Sequence, residues 1–264
     1  MFNDSSSNNH QNLVLVRGGD TSLHEIWVRD DPSRNWDIMV SYFGDRPERA
    51  CSPNLDIKGP KWPTIKLLLV QDPTIIARYE YIFFPDDDLL FGQDSISTMF
   101  NLVKKYEFLL CQPSLSIDSF VSHSITLHHP AFICRYTNFV EIMAPCFSRS
   151  SLKICLSSFD ENVSGWGLDS LWPELLRRRP GRIGILDAIQ IKHTRPVGGP
   201  NYVHSCMAGT TPSLELARLL HKYDLPYGHV VTGGIGLNGV ELSPSLLAVE
   251  LEKQPILPRS MPSW

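Results

Sequence analysis

The chain has 264 residues, 42% of them hydrophobic and 20% charged, which places it among globular proteins and excludes a wholly disordered or fibrous chain. A net charge of −4 and a pI near 6.1 exclude the broad basic field that holds proteins on nucleic acid, while leaving room for the few placed cations that a small phosphorylated ligand needs. The six cysteines form no Cys-x-x-Cys pair, and no run approaches the ~20 apolar residues of a bilayer span, so free thiols in a reducing, cytoplasmic setting are expected.

Met1 to Gln11 is polar and Ser/Asn-rich, without the basic start and apolar run of a signal peptide, and reads as a disordered lead-in. Leu13 to Val16 is a short Val/Leu strand ending in the turn Arg17-Gly18-Gly19. A weak helical pattern around His24, Ile26 and Trp27 precedes a second strand, Ile38 to Phe43, which ends in Gly44-Asp45. Trp62, Ile65, Leu68 and Leu69 follow helical spacing as far as Asp72-Pro73, where Asp caps and Pro opens a second short helix. Tyr81 to Phe84 is buried-strand sequence that runs directly into Asp86-Asp87-Asp88. Ile96, Met99, Phe100 and Val103 mark one face of a helix before a strand at Phe108 to Cys111.

In the second half Val140 to Phe147 reads as a strand, Ser148 as the cap of a helix to about Phe159, and Leu168 to Arg178 as a helix containing Pro173. Ile183 to Leu186 and Ile189 to Lys192 are short apolar runs before His193. Beyond Arg195 the chain is Pro- and Gly-rich, with one helix near Ser213 to Tyr223 and an apolar patch at Leu246 to Leu251. Strand and helix alternate, so the expected fold is α/β: a mostly parallel sheet flanked by helices over residues 12–199, with residues 200–264 as an extension packed on it or partly flexible.

Ligands of such sheets bind beyond the carboxyl ends of strands, where Arg17-Gly18-Gly19, Gly44-Asp45 and the aspartate triplet all fall. Two carboxylates of an Asp-x-Asp at a strand end are hard oxygen ligands suited to Mg²⁺ or Mn²⁺ beside a diphosphate, although a bare acidic turn is equally often just solvated. Gly165-Trp166-Gly167-Leu168-Asp169 delivers a carboxylate to the first turn of a helix, either as a proton acceptor or as a cap that complements the dipole. His193 ends an apolar strand.

Several segments in order resemble a domain family of originally unknown function, found in plants and bacteria and regarded as glycosyltransferases of the nucleotide-sugar (GT-A) fold. They are Lys61-Trp62 with Lys66, Tyr79 to Phe83 with Asp86 and Asp88, Gln112-Pro113, His123 with Ile125-Thr126, Val140-Glu141 with Met143-Ala144-Pro145, Phe147-Ser148-Arg149, Trp166 to Asp169, and Ile183-Gly184-Ile185 with Asp187 and His193. The resemblance implies a GT-A-like domain that moves a sugar from a nucleotide-diphosphosugar donor to a hydroxyl acceptor. Asp86, Asp88 and His193 would hold Mn²⁺ or Mg²⁺, and Asp169 would be the catalytic base if the reaction inverts the anomeric carbon, or orient the acceptor if it retains configuration. Arg17, Gly18, Asp45, Lys66 and Asp87 are the donor-side candidates, with Lys66 near a phosphate or Asp86; His123, Glu141 and Trp166 are the acceptor-side ones. The same acidic cluster would also serve a metal-dependent phosphoesterase or nucleotidyltransferase, or a non-catalytic nucleotide-sugar-binding module.

Overall fold

The structure, a computed structural model, describes residues 10–46, 49, 55–179, 181–196, 198, 206–226 and 228–252. Nearly all of the expected N-terminal lead-in and Cys51 lie outside the described residues. Among the described residues nine strands form one sheet in the order β2-β1-β3-β7-β5-β8-β6-β9, with β4 pairing β8. The strands are β1 (Asn12–Gly18), β2 (Trp36–Tyr42), β3 (Tyr81–Phe83), β4 (Leu89–Phe91), β5 (Phe108–Leu115), β6 (Phe132–Thr137), β7 (Cys146–Ser148), β8 (Arg182–His193) and β9 (Val231–Gly236). Strands β1, β2, β3, β5, β8 and β9 run one way and β4, β6 and β7 the other, so the sheet is mostly parallel in direction but has an antiparallel strand, β7, wedged between β3 and β5.

Helices cover both faces, and the two-residue period of the strands allots the side chains. Val14, Val16 and Phe83 turn toward α1 (His24–Arg29) and α4 (Ser95–Lys105), meeting Trp27, Met99, Phe100 and Val103. Leu13, Leu15, Ile82 and Phe84 turn the other way. There they meet α2 (Lys61–Gln71), α3 (Thr74–Arg78), α5 (Arg149–Cys155), α6 (Leu168–Leu176) and α7 (Pro212–Tyr223). On this second face Trp62 and Trp172 pack edge to face with ring centroids 4.7 Å apart, and Phe84, Phe147 and Phe159 surround them.

Local signals act as the sequence suggests at several ends. Asp72 Oδ1 accepts the Thr74 N–H at the start of α3, and Ser148 Oγ accepts the Ser151 N–H at the start of α5. One expectation is overturned: only Cys146–Ser148 of the run from Val140 is strand. Residues 141–145 are instead a loop, tied down where Ile142 and Met143 give their carbonyls to the Lys61 ammonium. The two apolar runs around Asp187 are a single strand, β8, with an irregularity in its pairing to β5.

The described residues beyond 199 share the same architecture. Strand β9 pairs with β6 at the end of the sheet, α7 packs on α6, and α8 (Pro244–Glu252) follows. Cys111, Cys134, Cys146 and Cys155 are buried free thiols and Cys206 is exposed. Among the described residues no helix is long and apolar enough to cross a membrane.

Candidate active site

Because β1, β3 and β8 run the same way, their last residues meet at one edge of the sheet, and the reversed β7 brings its preceding loop there as well. The chain leaves β3 through Asp86-Asp87-Asp88, and each aspartate is held differently. Asp86 is half-buried, and its Oδ1 accepts from Lys61 Nζ at 2.6 Å. The same ammonium donates to the carbonyls of Phe84, Ile142 and Met143. Desolvation raises the Asp86 pKa, Lys61 opposes it and the charge of Asp88 adds to it.

Asp87 faces the β1 turn: its Oδ2 accepts the Gly19 N–H at 2.7 Å and its Oδ1 accepts from Arg195 at 3.2 Å. Burial raises its pKa, opposed by those two donors. Asp88 is buried; its Oδ2 lies 3.3 Å from Nε2 of His193, while its Oδ1 is buried with no hydrogen-bond partner among the described residues. Antiparallel pairing of β4 with β8 fixes this contact, since Leu89 lies opposite His193 and the Asp88 carbonyl accepts from the Thr194 N–H. The other ring nitrogen of His193 bonds the Phe120 carbonyl at 2.9 Å. Burial alone would lower the His193 pKa, but the hydrogen bond and charge of Asp88 outweigh it and push it up to about 9.

Two more buried carboxyls complete the cluster. Glu141 stands on the loop before β7, its N–H held by buried Gln112 and its Oε2 buried without a partner among the described residues. Desolvation pushes its pKa up to about 8; the charges of His193 and Lys61 oppose the rise, and those of Asp169 and Asp86 add to it. Asp169 lies in the first turn of α6, where Oδ1 accepts the Ser170 N–H, and desolvation pushes its pKa up to about 7 against backbone donors.

The Gly-Trp-Gly loop that delivers Asp169 needs both glycines. Gly165 and Gly167 have φ of +87° and +93°, and a Cβ at Gly165 would come 2.6 Å from the Trp62 ring. Glu215 of α7 holds the loop by accepting from the N–H groups of Val163 and Ser164 and from the Ser164 hydroxyl.

The structure thus brings Asp86, Asp88, Glu141, Asp169 and His193 into one cluster and sets the other expected site residues apart from it. Lys66 is not the lysine paired with Asp86; it bonds Asp160 and the Ser157 carbonyl. The lysine at Asp86 is Lys61, whose place at the first position of α2, against the helix dipole, is the signal that would have revealed it. Arg17 is neither a surface charge nor open to a ligand: its buried guanidinium donates to Ser41 Oγ and the Gly59 carbonyl, and burial lowers its pKa to about 10. Gly18 packs on Val40, and Asp45 is exposed and paired with Lys58. Trp166 is half-buried, with its carbonyl accepting from Asn162. His123 packs against Phe139 at 4.6 Å and His229 at 5.0 Å, and burial with His229 nearby pushes its pKa down to about 4. Arg195, Gln112 and His229 were not anticipated in these positions.

Fold and site together define an α/β protein with a carboxylate-rich centre at the carboxyl edge of its parallel strands. Residues 56–201, more than half of the chain, match the family described as "Protein of unknown function (DUF707)", and the chain belongs to that family. A search of curated proteins by sequence gives no match. Among solved structures the chain is similar to A197 from STIV, with 11% identity, TM-score 0.44, and coverage of 70% of this chain and 86% of that one. It is similar also to S. aureus TarS 1-349 in complex with UDP-GlcNAc, with 12% identity, TM-score 0.43, and coverage of 81% and 72%. At these scores neither likeness bears on function.

Proposed function

We propose that this chain is a metal-dependent glycosyltransferase that moves a sugar from a nucleotide-diphosphosugar to a hydroxyl acceptor. The observation that carries the reading is that two buried carboxyl oxygens with no partner among the described residues, Asp88 Oδ1 and Glu141 Oε2, fall in one cluster with Asp86, Asp169 and His193, whereas the third such oxygen, Asp31 Oδ1, stands apart beside Trp36 and Ser97. A buried carboxyl oxygen without a partner is costly; a cation or a ligand hydroxyl removes the cost at an ionised Asp88, and a ligand acceptor removes it at a protonated Glu141. Among the described residues no three His, Cys, Asp or Glu side chains stand ready-made around one ion. The oxygen-rich donor set nevertheless suits Mn²⁺ or Mg²⁺, with Asp88 and Asp86 as ligands and His193 completing the set. Such a cation, when bound, supplies charge compensation for the departing nucleoside diphosphate.

The chain's own residues do the rest. Asp169, with a pKa of about 7, is poised at neutral pH to take the proton of the acceptor hydroxyl as its oxygen attacks the anomeric carbon. Glu141, with a pKa of about 8, is largely protonated at the same pH and donates its hydrogen bond to a sugar oxygen. Lys61 fixes Asp86 against the 141–145 loop, and Asp87, bridging Gly19 and Arg195, fixes the β1 turn beside it.

The test is thermal stability against a panel of nucleoside diphosphates and nucleotide-sugars, each with and without Mn²⁺, followed by nucleotide release with the donor that binds. A metal-dependent shift with one donor, absent in Asp88→Asn, is the expected result. The reading fails if no donor gives such a shift, or if Asp88→Asn binds and turns over the donor as well as the parent.

A further inference from the structure

At the far end of α6 from Asp169, a cavity of about 570 Å³ is lined by Leu171, Glu174, Leu175, Arg177, Arg178, Arg179 and Tyr223. That volume is in the range of small-molecule sites, roughly 300–1,000 Å³. Its one carboxylate, Glu174, is already neutralised by Arg177 at 2.7 Å. Arg178 and Arg179 have no ion-pair partner among the described residues, so the cavity carries two uncompensated guanidinium groups. Arg177, the C-cap residue of α6, is engaged with Glu174, which leaves the exposed Arg178 and Arg179 as the charges available to a ligand. Buried Leu171, half-buried Leu175 and the Tyr223 ring give the cavity an apolar wall opposite the charges. The Tyr223 ring is itself fixed, its hydroxyl bonded to Glu161 and the Lys222 ammonium 4.9 Å from its centre.

We propose that this cavity binds a small diphosphate-bearing metabolite with an apolar or planar body, at a site separate from the carboxylate cluster. Paired guanidinium forks match phosphate oxygens, two adjacent arginines match two linked phosphates, and the Leu-Tyr wall takes the body. Asp169 and Arg177 are about 12 Å apart along the axis of α6, so this ligand does not occupy the place of a donor at the cluster.

The experiment is thermal stability of the full chain in EDTA, with ADP and with inorganic pyrophosphate, for the parent, Asp88→Asn and the exposed double variant Arg178→Ala/Arg179→Ala. EDTA and Asp88→Asn remove the metal-dependent site, so this test stands whether or not the glycosyltransferase reading does. The expected result is a rise of about 2–4 °C at roughly five times the Kd, in the parent and in Asp88→Asn alike, with ADP acting at lower concentration than pyrophosphate. The double variant, melting as the parent does without ligand, binds at least about tenfold more weakly. No shift in the parent overturns the proposal, as does an equal shift in the double variant. Binding confined to phosphatidic acid vesicles, without ADP binding, overturns it in favour of a lipid headgroup.

Discussion

Two buried charge clusters sit in the same sheet and differ in completeness. Around Asp187 each charge has its partner: Arg135 donates to both carboxylate oxygens at 2.8 and 2.9 Å, the His129 N–H adds a third bond, and the carbonyls of Ile125 and Leu127 each take a further guanidinium hydrogen. Around Asp88 and Glu141 one oxygen of each carboxyl is left over. Both clusters carry motif residues in the sequence, yet only one has capacity left for a ligand. Between these two carboxylates, saturation marks Asp187 as a group that holds the fold, whereas Asp88 keeps an oxygen for a ligand.

The comparison breaks first at its structural arm. Asp187→Ala leaves Arg135 charged and buried, and such a loss costs about 3–5 kcal/mol; urea unfolding is expected to show it, with metal and nucleotide binding intact in the protein that remains folded. At the other arm, Asp88→Asn takes away the partner that raises the His193 pKa to about 9, so the ligand-free protein is expected to melt somewhat lower near neutral pH, while metal-dependent donor binding weakens by at least about 100-fold.

Glu141 sharpens the contrast through pH. Its folded pKa is raised, so above the ordinary glutamate range the folded state holds more protons than the unfolded one, and its contribution to stability is lost as pH rises toward 8. Glu141→Gln is therefore expected to match the parent near pH 5 and to exceed it by on the order of 1 kcal/mol or more at pH 8, in metal-free buffer. The opposite slope would mean that the carboxyl is not desolvated. Smallest is Lys66→Ala, which removes a pair near the surface and is expected to change stability and donor turnover by less than about 0.5 kcal/mol.

Much of this was legible in the chain itself, for physical reasons. The Tyr81 to Phe84 run can only be a buried strand, so the aspartates after it had to surface at the edge of the sheet. The Gly-Trp-Gly loop announced a turn that Trp62 and Leu219 now explain by lying where side chains would be. What stayed hidden depended on long-range packing. Lys61 and Lys66 differ by little more than one helical turn, and only the position of α2 on the sheet decides which meets Asp86. Val140 to Pro145 has strand composition but is drawn off the sheet by Lys61. β9, with the sequence Val-Thr-Gly-Gly-Ile-Gly, shows no strand pattern because rings of Phe132 and Tyr136 cover the backbone at Gly233 and Gly234.

The reversed strand β7 also sets an order of assembly. It is the common neighbour of β3 and β5, yet it is made 63 residues after the last residue of β3, from Cys146 onward. While the chain is being synthesised, β3 with β1 and β2 on one side, and β5 on the other, each present an open edge until residue 148 has cleared the ribosome. The sheet is therefore joined at β7 first and between β5 and β6 only when β8 follows at Arg182–His193, and a nascent chain halted before residue 148 carries both gaps as open edges prone to aggregation.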